Sequence, residues 1–217
     1  MGILNFQIES LIYILPAFVL ALTVHEYAHA RVAYSLGDPT AYNAGRLTLN
    51  PLKHLDIIGS LMLVFVGFGW AKPVPVNPYY FRGDRRKGMM AVSVAGPLSN
   101  LIQAFILTII FALLWRFAPS FLFGLNSWPL NFIHFFIHIN LVLCIFNLLP
   151  LPPLDGSKIL AGILPERHGR FIYTLEQYGY LILLALVLLG VVREVIFPIV
   201  SFLFRLLMNM ASFIINI

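Results

Sequence analysis

The chain has 217 residues, 60% of them hydrophobic and 11% charged, with a mean hydropathy of +0.89. A water-soluble domain carries about a quarter charged residues, so this composition excludes an ordinary soluble globular protein and points to burial in lipid. The net charge of +5 does not indicate a nucleic-acid partner, because the basic residues sit between apolar runs, where they set membrane orientation.

The first residues lack the basic flank of a signal peptide and no small-residue cleavage site follows, so the first apolar run reads as a retained membrane helix. That helix is expected from Ser10 to Leu36, with Pro16 as a kink and Gly37 as the stop. Asp56 to Trp70 is apolar but shorter than the roughly 17 residues a span needs, and it holds three glycines. It reads as a re-entrant or interfacial segment, partly strand, with "GRLTLNP" before it as a short edge strand. A second helix is expected from Gly88 to Phe117 and a third from Leu130 to Leu149, ended by the prolines of "LPLPPLDG". A fourth covers Thr174 to Val192 and a fifth Val195 to Ile217. The fold class is therefore an all-α polytopic membrane protein of about five transmembrane helices, with a short re-entrant or β-hairpin insertion between the first two. Residues 1–217 read as one membrane domain, and Cys144 has no partner for an internal disulfide.

Eight Lys and Arg residues lie between Arg31 and Lys87, and Lys158, Arg167 and Arg170 follow the third helix. The opposite loops offer Arg116 and Arg193. By the positive-inside rule the first and third helices both end in the cytoplasm. That places "HEYAH" and "LDG" at similar depth, near the cytoplasmic half of the bilayer.

His25 and His29 are four apart and share one helix face. Two imidazoles at that spacing suit one zinc ion, and Glu26 lies beside them in the HExxH arrangement of zinc metalloproteases. Ionisable groups inside a membrane helix are costly and need a shared reason. A catalytic zinc takes three protein ligands and keeps an open position. Asp155 is the candidate third ligand, since Pro150, Pro152 and Pro153 break the backbone just before it. Broken backbone at membrane depth survives only inside protein or against a wet cavity. Taken alone, Asp155 fits a helix N-cap equally well. His134 and His138 repeat the spacing without a glutamate, and about 25 Å of helix separates His138 from Asp155, so they read as interfacial histidines.

With "HEYAH", "NLLPLPPLDG", "AGPLSN", "NPLKHLD" and "GWAKPVPVNP" in place, the chain from about Leu20 to Lys158 resembles the site-2 protease family of intramembrane zinc metalloproteases. The resemblance is to the compact bacterial and archaeal branch without PDZ or CBS domains. It implies one zinc ion held by His25, His29 and Asp155, with Glu26 as the catalytic general base. It also implies cleavage of transmembrane protein substrates within the lipid bilayer, in the plasma membrane of a prokaryote with the active site toward the cytoplasm. By the same resemblance Asn147 binds the substrate backbone or orients the site; an interhelical hydrogen bond is the other reading. Ala91, Ala95 and Ser99 recur every four residues, a small face for close helix approach. Asn100 beside them shapes packing or orients the site. His54, with Asp56, lines the cytoplasmic mouth or sits in a solvated loop. Two other classes use similar residues: a metal transporter and an inactive binder of membrane segments. Glu26 discriminates, because only hydrolysis requires it.

Overall fold

A computed structural model describes residues 8–66, 69–124 and 127–216 of the chain. Among the described residues, four helices are long and apolar enough to cross a membrane: Leu11–Ser35, Arg85–Phe117, Trp128–Asn147 and Gly169–Leu188. The protein is an all-α polytopic membrane protein, and no strand forms among the described residues.

Helix α1 (Ile8–Ser35) ends where Gly37 takes φ +104°, a left-handed conformation that an L side chain resists. The short α2 (Thr40–Asn43) follows. Helix α3 (Ile57–Val66) occupies the short apolar segment. The edge strand expected in "GRLTLNP" is not formed: residues 46–50 are bends and coil. Strand pairing there is limited to one isolated antiparallel bridge, Leu55 to Ala71, with the Lys72 N–H donating to the His54 carbonyl at 2.8 Å. Residues 67 and 68 of the expected re-entrant segment lie outside the described ones.

Helix α4 (Arg85–Phe117) opens on an Asp84 cap whose Oδ1 accepts from the N–H groups of Arg86 (2.8 Å) and Lys87 (3.1 Å). The short α5 (Pro119–Phe123) leads to α6 (Trp128–Asn147), which has Pro129 in its first turn, where no N–H partner is lost. The chain then turns through "LLPLPPL" into α7 (Asp155–Ile163). Gly156 permits that turn, because a Cβ there would strike the carbonyls of Leu148 and Leu149. Helix α8 (Gly169–Leu188) starts five residues before the expected Thr174, and Gly190 at φ +76° separates it from α9 (Val191–Asn216). The fifth expected helix forms as α9, although it is not among the four candidate spans, and its expected last residue, Ile217, is outside the described ones.

Helix α4 is the hub, packing against α1, α6, α7 and α9. One apolar core joins α4, α6 and α9 through Ala104, Phe111, Ile137, Leu141 and Val200. On the other side, α1 meets α4 through fully buried alanines, including Ala21 and Ala33, which let the two backbones approach. The α4 face that packs here is not the expected Ala91–Ala95–Ser99 row. Those three are exposed or half-buried, whereas Val92, Ser93, Gly96, Pro97 and Asn100 are buried. The row carrying the polar partners of α1, Val92 and Asn100 with Gly96 between them, is the one turned inward.

Candidate metal centre

His25 and His29 lie on adjacent turns of α1 with their rings edge to face, centroids 4.6 Å apart. Asp155 stands at the first position of α7. It makes no capping bond; its Oδ2 instead lies 3.2 Å from His25 Nε2 and 3.1 Å from His29 Nε2. The two Nε2 atoms are 3.0 Å apart. All three residues are buried, and so is Glu26. The topology argument expected the two segments at one depth, and the fold brings them into contact.

The protonation of this triangle follows from what holds the far side of each ring. His29 Nδ1 faces the Val92 carbonyl at 2.7 Å, and a carbonyl only accepts, so Nδ1 carries the proton. His25 Nδ1 faces Asn100 Oδ1 at 2.6 Å. Asn100 Nδ2 donates to Asn140 Oδ1 (2.9 Å) and the Ala21 carbonyl (3.3 Å), which turns its oxygen toward His25. With both Nδ1 atoms protonated, the neutral imidazoles present only lone pairs at Nε2. Two nitrogen lone pairs and a carboxylate oxygen therefore crowd a buried point with no donor among them. Such an arrangement calls for a cation.

The spacing suits zinc. A tetrahedral zinc with bonds of about 2.0–2.1 Å holds its ligand atoms about 3.3 Å apart, close to the edges of this triangle. Two imidazoles and one carboxylate leave the fourth position open, as catalytic sites do. Gly96 of α4 bears on the same point: a Cβ there would fall 2.6 Å from His25 Nε2 and against His29 Nε2, filling the space the ion would take. His25, His29 and Asp155 are the cluster among the described residues able to hold a metal ion.

Glu26 is held separately. Its Oε2 accepts from the Val74 N–H at 2.8 Å. Val74 lies between Pro73 and Pro75, which have no N–H, so it supplies the lone amide donor of that tripeptide. The segment is pinned at both ends. Arg46 Nη2 donates to the Lys72 carbonyl at 2.6 Å, and the Asn77 N–H donates to Asp38 Oδ2 at 2.7 Å. Asp38 is fully buried at the end of α1, and its Oδ1 accepts from the Thr40 N–H at 2.9 Å.

The remaining expected residues fall elsewhere. Asn100 touches His25 directly. Asn147 donates to the Leu143 carbonyl of its own helix at 3.0 Å, not between helices. His54 is not in a solvated loop: it is 1% exposed and its Nε2 bonds the Thr48 carbonyl at 2.8 Å. His134 and His138 pack against the rings of Phe111 and Phe204. Gly96, which reads from sequence as a packing residue beside Asn100, lies against the metal-binding point, and three contributors went unnoticed in the sequence: Asn140, the Val92 carbonyl and the Val74 amide. Asn140 alone left a signal, an amide side chain within a 20-residue apolar helix.

Fold and site together define a polytopic membrane protein with a buried His–His–Asp cluster able to hold a metal ion. Residues 13–190 match Peptidase family M50. The chain belongs to that family, the site-2 protease family of zinc metalloproteases. It is 40% identical over 198 residues to YwhC of Bacillus subtilis (strain 168), covering 91% of this chain and 90% of the relative. It is 28% identical over 198 residues to Rip2 of Mycolicibacterium smegmatis, covering 89% and 73%. It is 33% identical over 158 residues to MJ0611 of Methanocaldococcus jannaschii, covering 72% and 73%. Each of the three is named "Putative zinc metalloprotease". No solved structure matches the chain.

Proposed function

We propose that this chain is an intramembrane zinc metalloprotease, a single membrane domain that cuts peptide bonds in or near transmembrane segments of other membrane proteins. His25, His29 and Asp155 hold one zinc ion and Glu26 is the general base. The membrane is a prokaryotic plasma membrane, in keeping with the bacterial and archaeal relatives, and the Lys and Arg distribution turns the site toward its cytoplasmic side. One observation carries the reading: three acceptor atoms converge within 3.2 Å of each other, beside a buried glutamate, on helices apolar enough to cross a bilayer.

Bound there, zinc supplies Lewis acidity, lowering the pKa of water toward about 7 and polarising a carbonyl. The chain's own residues do the rest. The Val74 amide holds one oxygen of Glu26 and leaves Oε1 to take a proton from water and return it to the leaving amine. Val92 and Asn100 keep both imidazoles in the tautomer that presents Nε2. Burial of the cluster keeps bulk water away from the charged groups and strengthens their interactions.

The test uses protein purified in detergent and incubated with single-span membrane proteins. Wild type should release fragments, a zinc chelator should stop release, and Glu26→Gln should keep zinc yet lose nearly all hydrolysis. Full cleavage by Glu26→Gln would remove the proposed base. Zinc passage into vesicles without cleavage would favour transport instead.

A further inference from the structure

We propose that Asn140, in the middle of α6, is a positioning residue of the metal centre: it sets which face of His25 carries the proton through a one-way chain of hydrogen bonds crossing three helices. The inference rests on the zinc reading above and adds to it a residue that touches neither the metal-binding trio nor Glu26.

The chain starts at an atom that cannot change roles. The Phe136 carbonyl, one turn back in α6, only accepts, and Asn140 Nδ2 donates to it at 2.9 Å. With its nitrogen committed there, Asn140 presents Oδ1 to α4. An oxygen requires a donor, so Asn100 turns its own nitrogen toward it, at 2.9 Å. Asn100 Nδ2 has a second hydrogen, and the Ala21 carbonyl of α1 accepts it at 3.3 Å. Both anchors select the same orientation of the Asn100 amide. Its Oδ1 must then face His25, 2.6 Å from Nδ1, and His25 must carry its proton at Nδ1. The lone pair at Nε2 is thereby aimed at Asp155 and His29.

Every link has a fixed direction, and the chain ends at a ligand atom. Asn100 and Asn140 are both 0% exposed, so water offers no substitute for a missing partner. The two anchors on Asn100 are unequal. The longer bond, to Ala21, remains if Asn140 is lost, but it cannot by itself satisfy both hydrogens of the amide. An Asn100 amide free to rotate would present NH₂ to His25 part of the time. His25 would then move its proton to Nε2, where it blocks a metal. The structure distinguishes this from an ordinary polar contact between membrane helices, which has no preferred direction and no consequence for a ring tautomer.

The experiment measures zinc affinity of the full-length protein in detergent, by competition with a chromogenic chelator, together with the melting temperature. Asn140→Leu removes the acceptor. Asn140→Ser keeps a bond to the Phe136 carbonyl, as Thr108 and Thr23 do with carbonyls four residues back, but is too short to reach Asn100. Ile137→Ala, in the same helix and fully buried, serves as the packing control. Both Asn140 variants should raise the zinc dissociation constant by about ten- to a hundredfold, with a matching change in the visible spectrum of the cobalt-loaded protein. Ile137→Ala should lower the melting temperature and leave zinc affinity unchanged. Wild-type zinc affinity and cobalt spectrum in Asn140→Ser would overturn the inference while the metal centre stands. Failure of wild type to bind zinc that His25→Ala loses would overturn the zinc reading itself.

Discussion

Replacing Gly96 by alanine tests the metal centre from the helix opposite it. The added Cβ would sit 2.5 Å from His25 Cε1, 2.6 Å from His25 Nε2 and closer still to His29 Nε2. Ordinary contact begins near 3.4 Å, so the rings must retreat by about 0.8 Å, or α1 must part from α4. Metal sites hold their ligand distances to about 0.2 Å. A shift four times that size takes at least one imidazole out of reach. Separating the helices would also loosen the Val92 and Asn100 bonds that orient the rings. Losing an orienting partner alone costs about ten- to a hundredfold in metal affinity, so Gly96→Ala should exceed a hundredfold, or about 2.7 kcal/mol. Overpacking should also cost about 1–3 kcal/mol of stability. The assay is zinc content after dialysis against buffered zinc, with Gly169→Ala as a control at a position where nothing lies within 4 Å. A Gly96→Ala protein that keeps one tightly held zinc per chain would refute the placement of the ion.

Val74→Pro removes the one amide that holds Glu26, and it should slow cleavage by about a hundredfold with zinc content unchanged. Val74→Ala keeps the N–H and should cleave like wild type; equal rates for the two variants would show that the amide does not position the base. At the start of α4, the N–H of Lys87, with that of Arg86, holds the Asp84 carboxyl below its usual range. A lowered folded-state value means that the cap contributes fully above the unfolded pKa of about 4 and is lost as acid protonates it. Hydrogen-exchange protection in the first turn of α4, measured against the intrinsic rate at each pH, should therefore fall on acidification, and Asp84→Asn, which also caps, should flatten that response.

What was legible in the chain divides along a physical line. His25, Glu26 and His29 stood out because charge in an apolar helix is expensive, and Asp155 because prolines broke the backbone before it. Helix ends were readable where one residue dictates geometry, as at Gly37. Main-chain groups are another matter: the Val92 carbonyl and the Val74 amide do their work without regard to side-chain type, so composition carries no trace of them. The packing face of α4 was misplaced by one residue because the row of small residues, Ala91–Ala95–Ser99, is the more conspicuous one, whereas the buried row of Val92, Gly96 and Asn100 is chosen by histidines in another segment. The strand expected near Leu49 failed because alternation in a short loop is a weak signal once tertiary bonds such as His54 to Thr48 claim its carbonyls. Helix α8 began early because Gly169 and Arg170 at its start carry a helix breaker and a charge, which look like loop, while the backbone there already follows the same helix.

Helix α4 holds the imidazoles through Val92 and Asn100, and through Arg86, which donates to the carbonyls of Ala161 and Leu164, it also ties down the far end of the short helix that bears Asp155. Both halves of the cluster are thus gauged from a single rod. By contrast, only 11% of the α8 span is buried within the protein. The three donor atoms thus share one yardstick set inside the bundle, away from the candidate span most open to the surrounding lipid.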